Sequence, residues 1–238
     1  MQRSLRATVL VPLAAAALAV AAGPTGAAGA AGTDQQIAQQ GVIVSTDVPA
    51  TWTASPRDDS GDQQSLKVAK KIPTCTGYVA FQKANDGTTG VQSQDFSSGD
   101  DQIHNSSYAY ATDAAASKTF DDLGAKATVA KCLTQVLQQG LATQLKGNKD
   151  VKKYVAKVKP VNQSTSSANI DGVGFGGGYQ VTMKDGSKQA ASIALVTFRV
   201  GRVINTYSAT AAPDSTQISS VFQDAVAATV GRSVAAQA

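Results

Sequence analysis

Residues 179–209 read YQVTMKDGSKQAASIALVTFRVGRVINTYSA, and no other stretch limits the fold as strongly. Apolar and polar residues alternate through three runs. Asp185-Gly186 separates the first two runs, and Gly201-Arg202 separates the next two. Alternation with a period of two places successive side chains on opposite faces of a strand. A short glycine-containing turn between two such runs joins them antiparallel. The segment therefore predicts a three-stranded meander.

The rest of the chain supplies more strands and several helices. TTGVQSQDFSS (88–98) and QIHNSSYAYAT (102–112) are polar, alternating runs separated by a turn. KYVAKVKPVNQ (153–163), with Val155, Val158 and Val161, reads as a strand. Helical spacing appears in QQSLKVAKKI (63–72), which Pro73 ends, and between Thr112 and Leu145, where Gly124 divides two apolar stripes. CTGYVAFQ is ambiguous between helix and strand. The closing segment carries Ile218, Val221, Phe222, Ala225, Val226 and Thr229 on one stripe, with Asp214 and Gln217 resembling a capping box. Helices do not alternate singly with strands, so the class predicted is α+β, with an antiparallel sheet of about five to seven strands and helices packed on one face. Low aromatic content, 5%, assigns the core mainly to Val, Ala, Leu and Ile.

The first thirty residues read as a leader. Arg3 and Arg6 precede an apolar run from Ala7 to Gly23, and PTGAAGAAG follows. This is the layout of a secretory signal peptide, with cleavage after Ala28 or Ala30; an uncleaved N-terminal anchor is the competing reading. The expected division is 1–30 signal peptide, 31–60 N-terminal extension or linker, and 61–238 a single α+β domain. Removing the leader takes away two arginines and no acids, so the formal charge of +4 falls to +2. Such a balance argues against a nucleic-acid partner, as does the lack of regular aromatic interleaving for stacking among the lysines of KVAKKIP (67–73) and KDVKKYVAKVKP (149–160). The expected location is secreted or extracytoplasmic, as a monomer without stable membrane insertion once the leader is cleaved.

Cys75 and Cys132 are the two cysteines. An even count in an exported chain favours a disulfide, and Cys132 lies on or beside the apolar stripe of a helix. Two buried free thiols are the alternative. A redox centre would need a C-x-x-C motif, and a metal site would need more ligands than two Cys and one distant His. No metal or cofactor is expected.

Gly172, Gly174 and Gly177 in DGVGFGGGYQ match the spacing of a dinucleotide-binding loop. Such a loop needs a buried strand before it and a helix after it. Here a polar loop precedes the glycines and a strand follows. They are expected to permit a bend or bulge, or to let another backbone or a small ligand approach closely.

Catalytic constellations are sparse. His104, the one histidine, falls in a predicted strand. A Ser-His-Asp relay would have to use it, yet no G-x-S-x-G elbow presents a serine. Asp58-Asp59, Asp100-Asp101 and Asp121-Asp122 are paired acids in predicted loops or on a helix surface, where turn aspartates are ordinarily solvated. No catalytic residue is assigned.

TDVPATWTAS, IPTC, SSYAYATDAAASKTFDDL with the following KCLTQVL, and FRVGRVINTYSA with the terminal helix together resemble the secreted or lipid-anchored sensor-type domains of actinobacteria. The extracellular domain of the PknH-type receptor kinases is the best known of these. The resemblance spans roughly residues 40–235. It implies an α+β fold with a cleft and a ligand-binding role, and it carries over no functional residue. This chain departs from the pattern in lacking a kinase, a spanning helix and a second cysteine pair. The reading is an exported, non-catalytic domain that binds a small molecule, an envelope component or a protein. It expects a cleft lined by Trp52, Tyr78, Tyr108, Tyr110 or Tyr207. Two alternatives remain: a secreted hydrolase using His104 or paired aspartates, and an inhibitor or protein-interaction module with an exposed apolar patch.

Overall fold

The computed structural model describes residues 17–18, 33–162, 164–165, 170–212, 215 and 217–237. In chain order the elements are β1 (Ala17–Leu18), α1 (Asp34–Gln40), β2 (Thr53–Ser55), α2 (Ser60–Ala69), α3 (Thr76–Asp86), β3 (Thr89–Gln92), β4 (Asp95–Ser98), β5 (Asp101–Ala109), α4 (Asp113–Asp121), α5 (Lys126–Gln144), β6 (Val151–Val161), β7 (Ser164–Thr165), β8 (Ile170–Met183), β9 (Lys188–Val200), β10 (Val203–Ala211) and α6 (Ile218–Ala235). The predicted leader and Asp214 of the predicted capping box lie outside the described residues, apart from β1, which pairs in parallel with β7.

The class is α+β, built on an eight-stranded antiparallel sheet in the order β2-β4-β5-β10-β9-β8-β6, with β3 also paired to β5. The meander β8-β9-β10 forms its centre. Gly186 and Gly201 take positive φ, 87° and 52°, at the two turns that the sequence marks. The run expected as one strand over 88–98 is two short strands, β3 and β4, both pairing with β5. The ambiguous CTGYVAFQ stretch belongs to helix α3.

Helices cover both faces of the sheet, not one. On the first face α6 packs Val221, Phe222, Ala225, Val226 and Val230 against Ile103, Val196, Phe198, Tyr207 and Ala209. On the second face Phe81 of α3, Ala116 of α4 and Val129 and Ala130 of α5 pack against Val173, Phe175 and Ile204. The physical reason is visible in β10. Val203, Ile204 and Asn205 are all at 0% exposure, so the start of this strand is buried from both sides.

The 31–60 segment is also more than an extension. Ile37, Ala38, Val42, Ile43, Val48 and Trp52 are buried, and Ile43, Val48 and Trp52 belong to the same core as α6. Thr33 and Gln36 form a capping box that starts α1. Asn105 of β5 then holds the following turn, accepting from the Ile43 backbone N–H at 2.8 Å and donating to the Gly41 carbonyl at 2.7 Å. Arg202 pairs with Asp34 at 2.6 Å.

A disulfide joins Cys75, just before α3, to Cys132 of α5, with Cα atoms 4.9 Å apart. Both residues are fully buried among Ala69, Ile72 and Val136. The bridge fastens the α2–α3 corner to the longest helix of the second face.

Candidate functional site

The outer face of β5 carries Gln102, His104, Ser106 and Tyr108, because alternate residues share a face. Its partner β10 places Thr210, Ser208, Thr206 and Ile204 directly opposite them. Apolar packing on this second face ends at Tyr108, Ile204 and Leu195. Beyond that margin Gln102, His104, Ser106, Thr206, Ser208 and Thr210 form a floor of amide, imidazole and hydroxyl groups, every one half-buried. The reverse side of the same strands is closed: Ile103, Asn105, Ser107, Tyr207 and Ala209 are all buried. Thr206 lies 3.4 Å from the Thr197 hydroxyl on β9, which extends the polar surface to a third strand.

A charged cluster borders this floor at β4. Asp95 is 3% exposed, and both its carboxylate oxygens are occupied. Oδ1 accepts from Arg57 Nη1 at 2.8 Å, and Oδ2 accepts from the Asp58 backbone N–H at 2.9 Å. Arg57 also reaches Asp62 through Nη2. His104 Nδ1 lies 3.3 Å from Asp95 Oδ1 without hydrogen-bond geometry. Burial, with the Arg57 guanidinium beside it, pushes the His104 imidazole down to about 4, against the opposing pull of Asp95. The ring is therefore neutral at neutral pH, and the Arg57–Asp95 pair is balanced by charge.

The floor offers hydrogen-bond donors and acceptors in amide, imidazole and hydroxyl groups. A general base needs an orienting hydrogen bond and a proton donor within reach. Asp95 gives His104 proximity at 3.3 Å without that bond's geometry.

The predicted aromatic lining is divided between the two faces. Trp52 and Tyr207 lie in the core beneath α6, and the Tyr207 hydroxyl meets Thr229 at 2.6 Å. Tyr110 is buried on the second face and donates to Asn85 at 2.5 Å. Tyr78 and Tyr108 remain half-buried near the floor, with the Tyr108 ring against Gly90. A single cleft lined by all five is thereby excluded.

The paired aspartates also lie apart. Asp58 gives its backbone amide to Asp95, and Asp59 accepts from Gln63 at 2.8 Å. Asp101 heads β5 and accepts from the Ala212 N–H at 2.8 Å and from Ser215, which fastens the end of β10. Asp121 and Asp122 close α4.

Gly172, Gly174 and Gly177 all lie inside strand β8, with no helix following. A Cβ on Gly177 would fall 2.0 Å from the Lys157 carbonyl oxygen, and one on Gly178 would fall 2.0 Å from that of Ala191. Close backbone approach is thus the use of Gly177 and of its neighbour Gly178. Arg57 and Asp95 are absent from any sequence motif; an arginine and an aspartate 38 residues apart give no local signal.

No family model matches the chain, and no curated protein matches it. Among solved structures it is similar to the extracellular domain of PknH from Mycobacterium tuberculosis, with a TM-score of 0.39 and 9% identity over 81% of this chain and 94% of that one. It is also similar to an uncharacterized protein, the Rv0999 ortholog, from Mycobacterium smegmatis, with a TM-score of 0.37 and 9% identity over 84% and 98% of the two chains. Similarity at this level carries no inference about activity or ligand.

Proposed function

We propose that the chain is an exported, non-catalytic domain that binds a hydrogen-bonding ligand on the polar floor of β5 and β10. One observation carries the reading. Six polar side chains lie together on the centre of a sheet whose other face is closed, at the point where apolar packing stops. Sheet centres are ordinarily sealed by apolar side chains, so a half-open polar area with mixed donors and acceptors suits a small polar partner. Export is supported by the leader-like N-terminal sequence and by the disulfide, which persists in oxidising compartments.

The hydrolase alternative draws on the approach of His104 to Asp95. It is weakened by the lack of hydrogen-bond geometry between His104 Nδ1 and Asp95.

The test is native mass spectrometry of the protein recovered from its own host, as wild type and as Ser208→Trp. The expected result is a bound mass on the wild type that disappears in the variant, with the circular dichroism spectrum unchanged. A bound mass that survives Ser208→Trp, or a wild type that remains empty when incubated with envelope extract, overturns the floor as the binding site.

A further inference from the structure

The sheet edge formed by β6 carries a second feature, on the opposite face from the polar floor. Lys153, Lys157 and Lys159 stand in register with Thr182, Gly178 and Gly176 of β8. Lys188 of β9 stands opposite the same Thr182. Residues directly opposite in an antiparallel pair share a face, so four lysines project from one side of three neighbouring strands. All four are exposed. Among the described residues none of them forms an ion pair; every paired cation is an arginine or His104. Val155, on the same face between Lys153 and Lys157, is 54% exposed.

Charge is concentrated here to a degree the modest net value conceals. Residues 146–188 contain eight lysines and three aspartates, a balance of +5. The remainder of residues 31–238 holds eleven Lys and Arg against fourteen Asp, a balance of −3. The positive balance of residues 31–238 is therefore concentrated in the segment that carries this face. Opposite Lys157 and Lys159 the neighbouring strand carries Gly178 and Gly176, where the Ala191 carbonyl and the Val161 side chain already fill the space a Cβ would take.

We infer that this face docks an extended polyanion, an anionic polymer of the cell envelope, along the direction of β6. Two features select a linear polymer over a flat lipid surface. The cations of β6 lie in one line, with intervals of about 7 Å for two residues and about 13 Å for four. Val155 is the one large apolar side chain exposed on the row, which offers little to insert into a bilayer. Lysines on an edge strand also serve to discourage edge-to-edge pairing, so the test separates the two roles.

The probes are fluorescently labelled inorganic polyphosphate and poly-L-glutamate, titrated with the mature protein at low and at physiological salt. Lys157→Glu/Lys159→Glu is compared with Lys67→Glu/Lys71→Glu, which removes the same charge from the α2 region. The expected result is salt-sensitive binding by the wild type, weakened about tenfold or more by the first pair and less than about twofold by the second. Lys157→Gln/Lys159→Gln gives an intermediate loss and guards against misfolding of the charge reversal. Three outcomes overturn the inference. One is equal loss from both pairs. Another is unchanged binding in Lys157→Glu/Lys159→Glu with new self-association, which assigns the row to edge protection. The third is binding to anionic lipid vesicles tighter than to either polymer. None of these outcomes bears on the polar floor, which lies on the other face.

Discussion

Arg232, near the end of the last helix, grips Asp47 of the N-terminal segment with two parallel hydrogen bonds of 2.7 Å each. The same guanidinium donates to the Gln40 and Val42 carbonyls at 3.2 and 2.9 Å. One side chain thus closes the last helix onto the segment that follows α1. Asp47 is held at the same time by the Val44 backbone N–H at 2.9 Å. A planar fork matches a carboxylate in a way an ammonium does not.

Arg232→Met is expected to destabilise the protein by about 2 kcal/mol, because it leaves the poorly exposed Asp47 carboxylate without its cation. For a chain of this length that corresponds to a fall in Tm of roughly 4–8 °C by calorimetry. Arg232→Lys recovers only part of the loss. Equal stability of Arg232→Met and wild type contradicts the role given to this contact.

Reduction of the Cys75–Cys132 bridge, which spans 57 positions, is expected to cost about 4 kcal/mol. The urea midpoint with and without a phosphine reductant measures it. Both sulfurs are fully buried, so alkylation of the oxidised native protein is expected to label neither cysteine.

His104 gives the protein a stability that depends on pH. Its imidazole titrates at about 4 when folded, below the ordinary 6.5 of an unfolded chain. Between these values the unfolded state holds a proton that the native state lacks, so stability falls as pH drops from 6.5 towards 4 and this contribution then levels off. In His104→Gln that component of the slope disappears. Chemical denaturation across the window, with the two proteins compared at each pH, checks the sign.

Glycines divide sharply by position. Gly177→Ala is expected to destabilise by about 3 kcal/mol or more, since the new methyl meets backbone atoms of the paired strand. Gly140→Ala, in α5, has nothing within 4 Å and is expected to stabilise by about 1 kcal/mol through helix propensity. Thermal melts of the two variants test both signs.

Much of the sheet was legible because its signals are local. The alternation and glycine turns between Tyr179 and Ala209 correspond to β8, β9 and β10, and the stripe from Val129 to Leu141 corresponds to α5. The placement of helices on two faces was not legible. It depends on the buried start of β10, where Val203 meets Ile37 and Ala38 while Ile204 meets the cluster of α4 and α5. The N-terminal segment looked like a linker because its anchors lie far along the chain, at Asn105, Arg202 and Arg232. For the polar floor, the sequence displayed His104 and the neighbouring serines of β5. Their meeting with Thr206, Ser208 and Thr210 follows from strand register alone.

Gly41 occupies a notch between two strands: a methyl group there would come within 2.2 Å of the Ser107 hydroxyl and 2.3 Å of the Asn205 side-chain oxygen. Ser107 and Asn205 are themselves paired across β5 and β10. A slip of one residue in either strand turns its half of the notch to the opposite side of the sheet. The returning N-terminal segment can therefore seat only on a correctly aligned pair, and its docking proofreads the alignment of two strands that come from distant parts of the chain.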